Sequence, residues 1–385
     1  MTAAQIGLPR RLVVGGGAAA EVGCLVRDLG FARPLVVTDA FLVAQGTAAR
    51  VVAALEGAGC ATAVFDGTVP DPTTDSLGPG VEAVRAHGAD CVIGLGGGSP
   101  LDTAKALAVL AVGGGTMRDY KAPTVTAGPA LPVIAIPTTA GSGSEATQFS
   151  IITDSASDEK MLCPGPAFLP VAAVVDYELT LSMPARLTAD TGVDALTHAI
   201  EAYVSRKANP FADGFALTAI STIARNIRPV YADGGDRDAR AAMMLAATQA
   251  GVAFSNSSVA LVHGMSRPIG AHFHVAHGLS NAMLLPAVMR FSVEAAPARY
   301  ADCARAYGLS GGSDAALAQA LVVAIDELCS DLEVPTPRDY GIEHSRWDEL
   351  APLMAQQALA SGSPGNNPRV PDAEQIVALY DEVYG

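Results

Sequence analysis

The stretch Cys91-Val-Ile-Gly-Leu-Gly-Gly-Gly-Ser-Pro-Leu-Asp-Thr-Ala-Lys105 passes from an apolar β-type segment through glycines into a helical pattern. Ser99 suits a helix N-cap, Pro100 the first helical position and Asp102 the first turn. Strand, turn and helix in that order are the repeating unit of a parallel sheet covered by helices. Gly96, Gly97 and Gly98 let backbone N–H groups come close to a ligand, and the positive end of the helix behind them suits a pyrophosphate. An ordinary tight turn has the same composition, and the stretch lacks a clean GxGxxG.

Working outward, short β-type runs at 11–14, 34–38, 61–65, 91–95, 133–136 and 172–175 alternate with helical patterns at 48–58, 76–87 and 102–111. Past Pro184 the strand signal nearly vanishes. Helical patterns follow one another at 186–205, 210–226, 236–254, 259–272, 280–291, 297–307, 314–332 and 372–384. The expected architecture is an α/β Rossmann-like domain over 1–182 followed by an all-helical domain over 183–385. Arg10-Arg11 before Leu-Val-Val reads as a first strand running into the Gly15-Gly16-Gly17 turn rather than as an export signal.

Two further features lie at the ends of expected strands. Pro137-Thr-Thr-Ala-Gly-Ser-Gly-Ser-Glu145 brings hydroxyls and glycines, Thr138, Thr139 and Ser142 among them, to the same sheet edge as the first glycine loop. Asp39 follows the strand 34–38. Its carboxylate can accept from an adenosine ribose 2′-OH, which favours NAD over NADP, or it can simply open a helix.

Lys and Arg number 24 against 39 Asp and Glu, a net charge of −15, so the basic footprint of a nucleic-acid or anionic-membrane surface is missing. Six scattered cysteines, with no CxxC pair, read as reduced thiols in a cytoplasmic protein. The chain has seven histidines, and five of them are His198, His263, His272, His274 and His277. Asp194 and His198 stand at i and i+4, on one face of a helix, and can chelate one ion. With His263 and His277 they make a three-His, one-Asp set suited to Fe(II), Zn(II), Mn(II) or Ni(II).

These residues resemble the iron-containing, or group III, alcohol dehydrogenases over essentially the whole chain. The matching segments are 96–105, 137–145, Gly192-Val-Asp-Ala-Leu-Thr-His-Ala-Ile-Glu-Ala-Tyr203, His263-Gly-Met, His277-Gly and Asn367-Pro-Arg369. The resemblance implies a cleft between the two domains, with NAD and one divalent metal (Fe(II) favoured, Zn(II) the alternative). It also implies hydride transfer between nicotinamide C4 and a small alcohol, aldehyde or hydroxyacid, and a homodimer or larger assembly. It assigns Asp194, His198, His263 and His277 to the metal, and Asp39, Gly97, Gly98, Ser99, Thr138, Thr139, Thr147 and Lys160 to the cofactor. Gly96, Asp102, Ser142 and Leu179 complete the expected cofactor set.

One departure stands out. Many members read His-Gly-Met-Ala-His-Pro where this chain reads His263-Gly-Met-Ser-Arg267-Pro268. The proton-relay role then falls to His272 or His274, and Arg267 becomes a candidate clamp for an anionic substrate group, or else a structural ion pair or a contact to the cofactor phosphates. Glycerol dehydrogenases, maleylacetate reductases and dehydroquinate synthases share the expected two-domain plan. A non-catalytic binding protein on this fold would show a broken ligand set or glycine loop, and both are intact.

Overall fold

A computed structural model of the chain describes residues 4–385. The chain divides into two compact units, Ile6–Ser182 and Met183–Gly385.

The first unit is built on six parallel strands: β1 (Arg11–Val14), β2 (Pro34–Val37), β3 (Ala63–Phe65), β4 (Cys91–Gly96), β5 (Val133–Pro137) and, after a hairpin of β6 (Phe149–Asp154) and β7 (Glu159–Pro164), β8 (Ala172–Val175). Their order is β1-β8-β5-β4-β2-β3. Helices α1 (Val22–Asp28), α2 (Ala40–Ala44), α3 (Thr47–Gly57), α4 (Thr74–His87) and α5 (Gly98–Gly113) connect them. The central strands are apolar in unbroken runs because both faces are covered. Val36, Ile93, Leu95, Ile134 and Val174 pack into one core with Val22, Leu25 and Leu55, while Leu35, Val37, Val92 and Val133 pack into another with Leu77, Val84 and Leu107. Parallel pairing of β2, β4 and β5, with Val37 opposite Gly94 and Gly96 opposite Pro137, brings their C-terminal ends to one edge.

The second unit holds α6 (Ala185–Val204), α7 (Pro210–Ala232), α8 (Arg237–Ser255), α9 (Leu261–Phe273), α10 (His277–Ser292), α11 (Pro297–Tyr307), α12 (Asp314–Asp331), α13 (His344–Ala360) and α14 (Ala373–Tyr384). Helix α6 is its axis, packed by α7, α8 and α10 and buried almost all round from Thr188 onward. Gly192 permits this: a Cβ there would lie 2.9 Å from Ile227 Cδ1 and 3.0 Å from Met243 Cε. Among the described residues, no helix is long and apolar enough to cross a membrane.

Three sequence expectations need correcting. Helix α5 starts at Gly98 with Gly97 in the cap position, so Ser99 lies inside the helix and is not its cap. Ser99 Oγ instead accepts from the backbone N–H of Asp71, at 3.2 Å. The antiparallel β6–β7 hairpin was not foreseen, nor was α13, whose pattern is interrupted by Pro352.

Candidate metal centre and cofactor loops

Asp194 and His198 project from one face of α6, His263 from the first turn of α9, and His277 opens α10. One donor atom from each of the four lies within 4.8 Å of all the others. Asp194 Oδ1 is the shared corner, 3.5 Å from His263 Nε2, 3.9 Å from His198 Nδ1 and 3.9 Å from His277 Nε2. Metal–nitrogen bonds of about 2.1 Å put tetrahedral donors about 3.4 Å apart, so this cage fits a first-row ion with room for a further ligand. Three of the side chains are at most 5% exposed, while His277 is 38% exposed, so the cage opens on that side.

Electrostatics fit a cation as well. Burial pushes the Asp194 carboxyl up, but the three imidazoles beside it outweigh burial and hold it well below the usual carboxylate range. The His263 ring has its tautomer fixed. Its Nδ1–H donates to Glu201 Oε2 at 2.6 Å, leaving the Nε2 lone pair facing the cage. The other Glu201 oxygen accepts from the Val262 backbone N–H at 2.7 Å. His198 is stacked between Phe254, at 4.2 Å, and His263, at 4.4 Å.

In the first unit the two glycine loops meet. A Cβ on Gly97 would touch Thr139 at 3.4 Å, a Cβ on Gly98 would touch Ser142 at 3.5 Å, and the Thr138 N–H donates to the Gly96 carbonyl at 2.9 Å. Gly96 has φ 150, a left-handed backbone closed to side chains, and a Cβ there would run into Pro100. Asp39 caps α2, accepting from the Leu42 N–H through Oδ1 at 2.9 Å, and its other oxygen has no partner among the described residues. Lys160 Nζ reaches Asp71 Oδ1 at 2.8 Å, which ties it to the start of α5 through Ser99.

Asp102 and Thr147 have their polar atoms turned into the protein. Asp102 accepts from Ser144 Oγ and from the Ile151 N–H, each at 2.8 Å, and Thr147 Oγ1 accepts from Lys105 Nζ at 3.2 Å. Leu179 sits in a single 3-10 turn, Tyr177–Thr180, and packs on the core under β2 and β8. His272 Nε2 meets Gln357 Oε1 at 2.8 Å, and His274, exposed with φ 55, caps the end of α9.

A family model described as iron-containing alcohol dehydrogenase matches residues 9–177, and one described as Fe-containing alcohol dehydrogenase family, C-terminal, matches residues 188–384. The chain belongs to the iron-containing alcohol dehydrogenases. Among its relatives in that family, the lactaldehyde reductase of Escherichia coli K12 is 39% identical over 371 residues, covering 95% of this chain and 96% of that one. The NAD-dependent methanol dehydrogenase of Bacillus methanolicus is 37% identical over 375 residues, 97% of each chain. The solved alcohol dehydrogenase of Oenococcus oeni superposes with a TM-score of 0.95 at 32% identity, over 99% of this chain and 100% of that one.

Three residues of this iron-containing dehydrogenase escaped sequence reading. Glu201 is one. Asn281, fully buried, is another: its Nδ2 donates to Asp194 Oδ1 at 2.7 Å and lies 3.1 Å from His263 Nε2 and 3.3 Å from His277 Nε2. Their only sequence signal is helical spacing, Glu201 three residues after His198 and Asn281 four after His277. Gly278 is the third. A Cβ there would lie 2.5 Å from the Asp190 carbonyl oxygen, so α10 can approach α6 closely enough to deliver His277 only with glycine after it. Gly278→Ala is expected to push α10 outward and weaken metal binding by about 10-fold or more, measured by chelator competition. Unchanged affinity would mean that the helix contact does not position His277.

Proposed function

We propose that this dehydrogenase moves a hydride between NAD and a small alcohol or aldehyde beside one divalent ion held by Asp194, His198, His263 and His277. The observation that carries the reading is the four-donor cage, buried on three sides and open at His277. In the oxidising direction the alcohol loses a hydride to nicotinamide and a proton to solvent, giving aldehyde and NADH. The reverse consumes both.

A divalent ion bound there supplies Lewis-acid polarisation of the substrate C–O bond, and the nicotinamide is the hydride carrier. The protein's part is to orient. Glu201 keeps His263 in the tautomer that points Nε2 inward, and Asn281 holds the Asp194 carboxylate in register. The Gly96–Ser99 loop and the Thr138–Ser142 loop form the cofactor cradle, closed by Lys160. His274, exposed three residues before His277, is the proposed proton relay to water, with His272 behind it. Fe(II) is favoured over Zn(II) from the family, and the nitrogen and carboxylate donors accept either. The reading extends to a homodimer or larger assembly, by resemblance, and to the cytoplasm, where free thiols like these six stay reduced.

The test is NADH formation with a panel of short alcohols, diols and hydroxyacids, on metal-stripped protein and again after Fe(II) or Zn(II) is restored. Turnover is expected only with metal. Full turnover on protein shown to be metal-free would overturn the reading.

The uncommitted oxygen of Asp39 is the basis for cofactor choice. Asp39→Ser keeps a helix cap but removes the charge that would repel a 2′-phosphate. The ratio of kcat/KM for NAD to that for NADP is expected to fall by about 10-fold or more. A ratio that did not move would release Asp39 from this role.

A further inference from the structure

The second unit contains two deeply buried arginines, and they are satisfied very differently. Arg240, 1% exposed, has all three guanidinium nitrogens engaged: Nε with the Gly234 carbonyl at 2.9 Å, Nη1 with Thr188 Oγ1 at 2.9 Å and Nη2 with the Met183 carbonyl at 3.1 Å. That is how this fold treats a structural arginine. Arg267, 7% exposed, makes a single hydrogen bond, from Nη1 to Ser363 Oγ at 2.9 Å. Among the described residues no carboxylate comes within ion-pair distance of it. The acid whose field reaches it is Glu201, and both Glu201 oxygens are already taken by His263 and Val262.

A guanidinium carries five N–H donors and keeps its charge at neutral pH. Burying it with one neutral partner costs several kcal/mol unless something else answers the charge. The fork of Nε and Nη2 is therefore left for a partner the protein does not supply, and the chemistry that fits a planar fork is an oxyanion.

Position says which one. Arg267 lies four residues after His263, on the same face of α9, and helical side chains lean towards the N-terminus. Its stem thus points back over the turn that carries the metal-facing imidazole. Ser363, its one partner, precedes Pro364, which covers the same turn so closely that a Cβ on Gly264 would lie 2.7 Å from it.

We infer that Arg267 is a specificity-determining residue that binds the carboxylate of an acidic substrate, so that the enzyme acts on short-chain oxo- and hydroxy-carboxylates. This rests on the oxidoreductase reading above. The aldehyde or alcohol end of such a substrate goes to the cage and its carboxylate to the free guanidinium edge, one helical turn away.

The test uses metal-restored enzyme and two aldehydes of four carbons, succinic semialdehyde and butyraldehyde. The expected kcat/KM ratio favours the acid by more than about 10-fold in the wild type, since the guanidinium fork can pair with the carboxylate and has nothing to pair with on the methyl end. Arg267→Met, which keeps the apolar stem, is expected to collapse that ratio, and Arg267→Lys to retain part of it. A readout independent of turnover is the rise in Tm of the NAD-bound holoenzyme on adding succinate, expected in the wild type and lost in the Met variant. Circular dichroism and metal content check that both variants fold and load. A wild-type ratio near one, a ratio unchanged by Arg267→Met, or a succinate shift that survives in that variant overturns the inference while leaving the dehydrogenase reading intact. No turnover of the acidic aldehyde overturns the assignment of short-chain oxo-carboxylates as substrates, while the alcohol panel above tests the dehydrogenase reading separately.

Discussion

Asp194→Ala is expected to leave the protein unable to retain a metal ion through gel filtration and to lower kcat by at least about 10^3-fold. The carboxylate is the only formal negative charge in the four-donor set, and its Oδ1 lies within 3.9 Å of donor nitrogens on all three histidines. Three neutral imidazoles in a buried cage offer no charge to replace the hydration a divalent cation gives up. Loss of Lewis-acid assistance worth several kcal/mol corresponds to the stated factor, at 1.36 kcal/mol per tenfold. Elemental analysis and steady-state rates on the same preparation decide it. An Asp194→Ala protein that kept one equivalent of metal and most of its rate would place the reacting centre elsewhere.

The second large effect concerns stability. Lys105→Met is expected to destabilise the first unit by about 3–5 kcal/mol, because it breaks a buried charge cluster from one side. Lys105 is fully buried, and burial pushes its ammonium down to about 8 against the pull of Asp102 and Glu145. Nζ donates to Ser144 Oγ at 2.8 Å, the Thr147 carbonyl at 3.1 Å, Thr147 Oγ1 at 3.2 Å and the Phe149 carbonyl at 2.8 Å. It bolts α5 to the segment that follows β5, which carries the second glycine loop. Without it the half-buried Asp102, whose carboxylate is turned into the protein, loses its counter-charge. Adding Asp102→Asn should therefore recover more than about 1 kcal/mol, a coupling visible in a double-mutant cycle of urea midpoints. Simple additivity of the two changes would show that the lysine and the aspartate do not answer each other.

Much of this was legible because it depends on local pattern. The apolar runs of β4 and β5, the glycines after them and the i, i+4 spacing of Asp194 and His198 are written over a few residues each. Helix α13 went unassigned, and β6–β7 was hidden by a turn, 155–158, that lacks the Asn-Gly or Asp-Gly signal of a tight hairpin. Ser99 misled because a serine before a proline is the usual start of a helix, whereas here the helix begins two residues earlier, with Gly97 in the cap position and Gly98 first in the helix. Other features exist only in three dimensions. Nothing near Lys105 in sequence announces Thr147 or Phe149, and in sequence Arg267 can equally be a salt-bridge residue until the neighbours around it prove to hold no free carboxylate. Glu201 and Asn281 look like routine helix residues, and they matter because α9 and α10 happen to cross α6 at those turns.

The donors are spread over α6, α9 and α10, so the centre is also a clasp. Any opening that parts these helices must first surrender the ion, and each tenfold rise in free metal above the dissociation constant therefore adds about 1.4 kcal/mol against such opening. A divalent ion held there would thus tie the stability of this unit to the supply of that metal: where the metal is scarce, the clasp would be undone and the helices would part more readily.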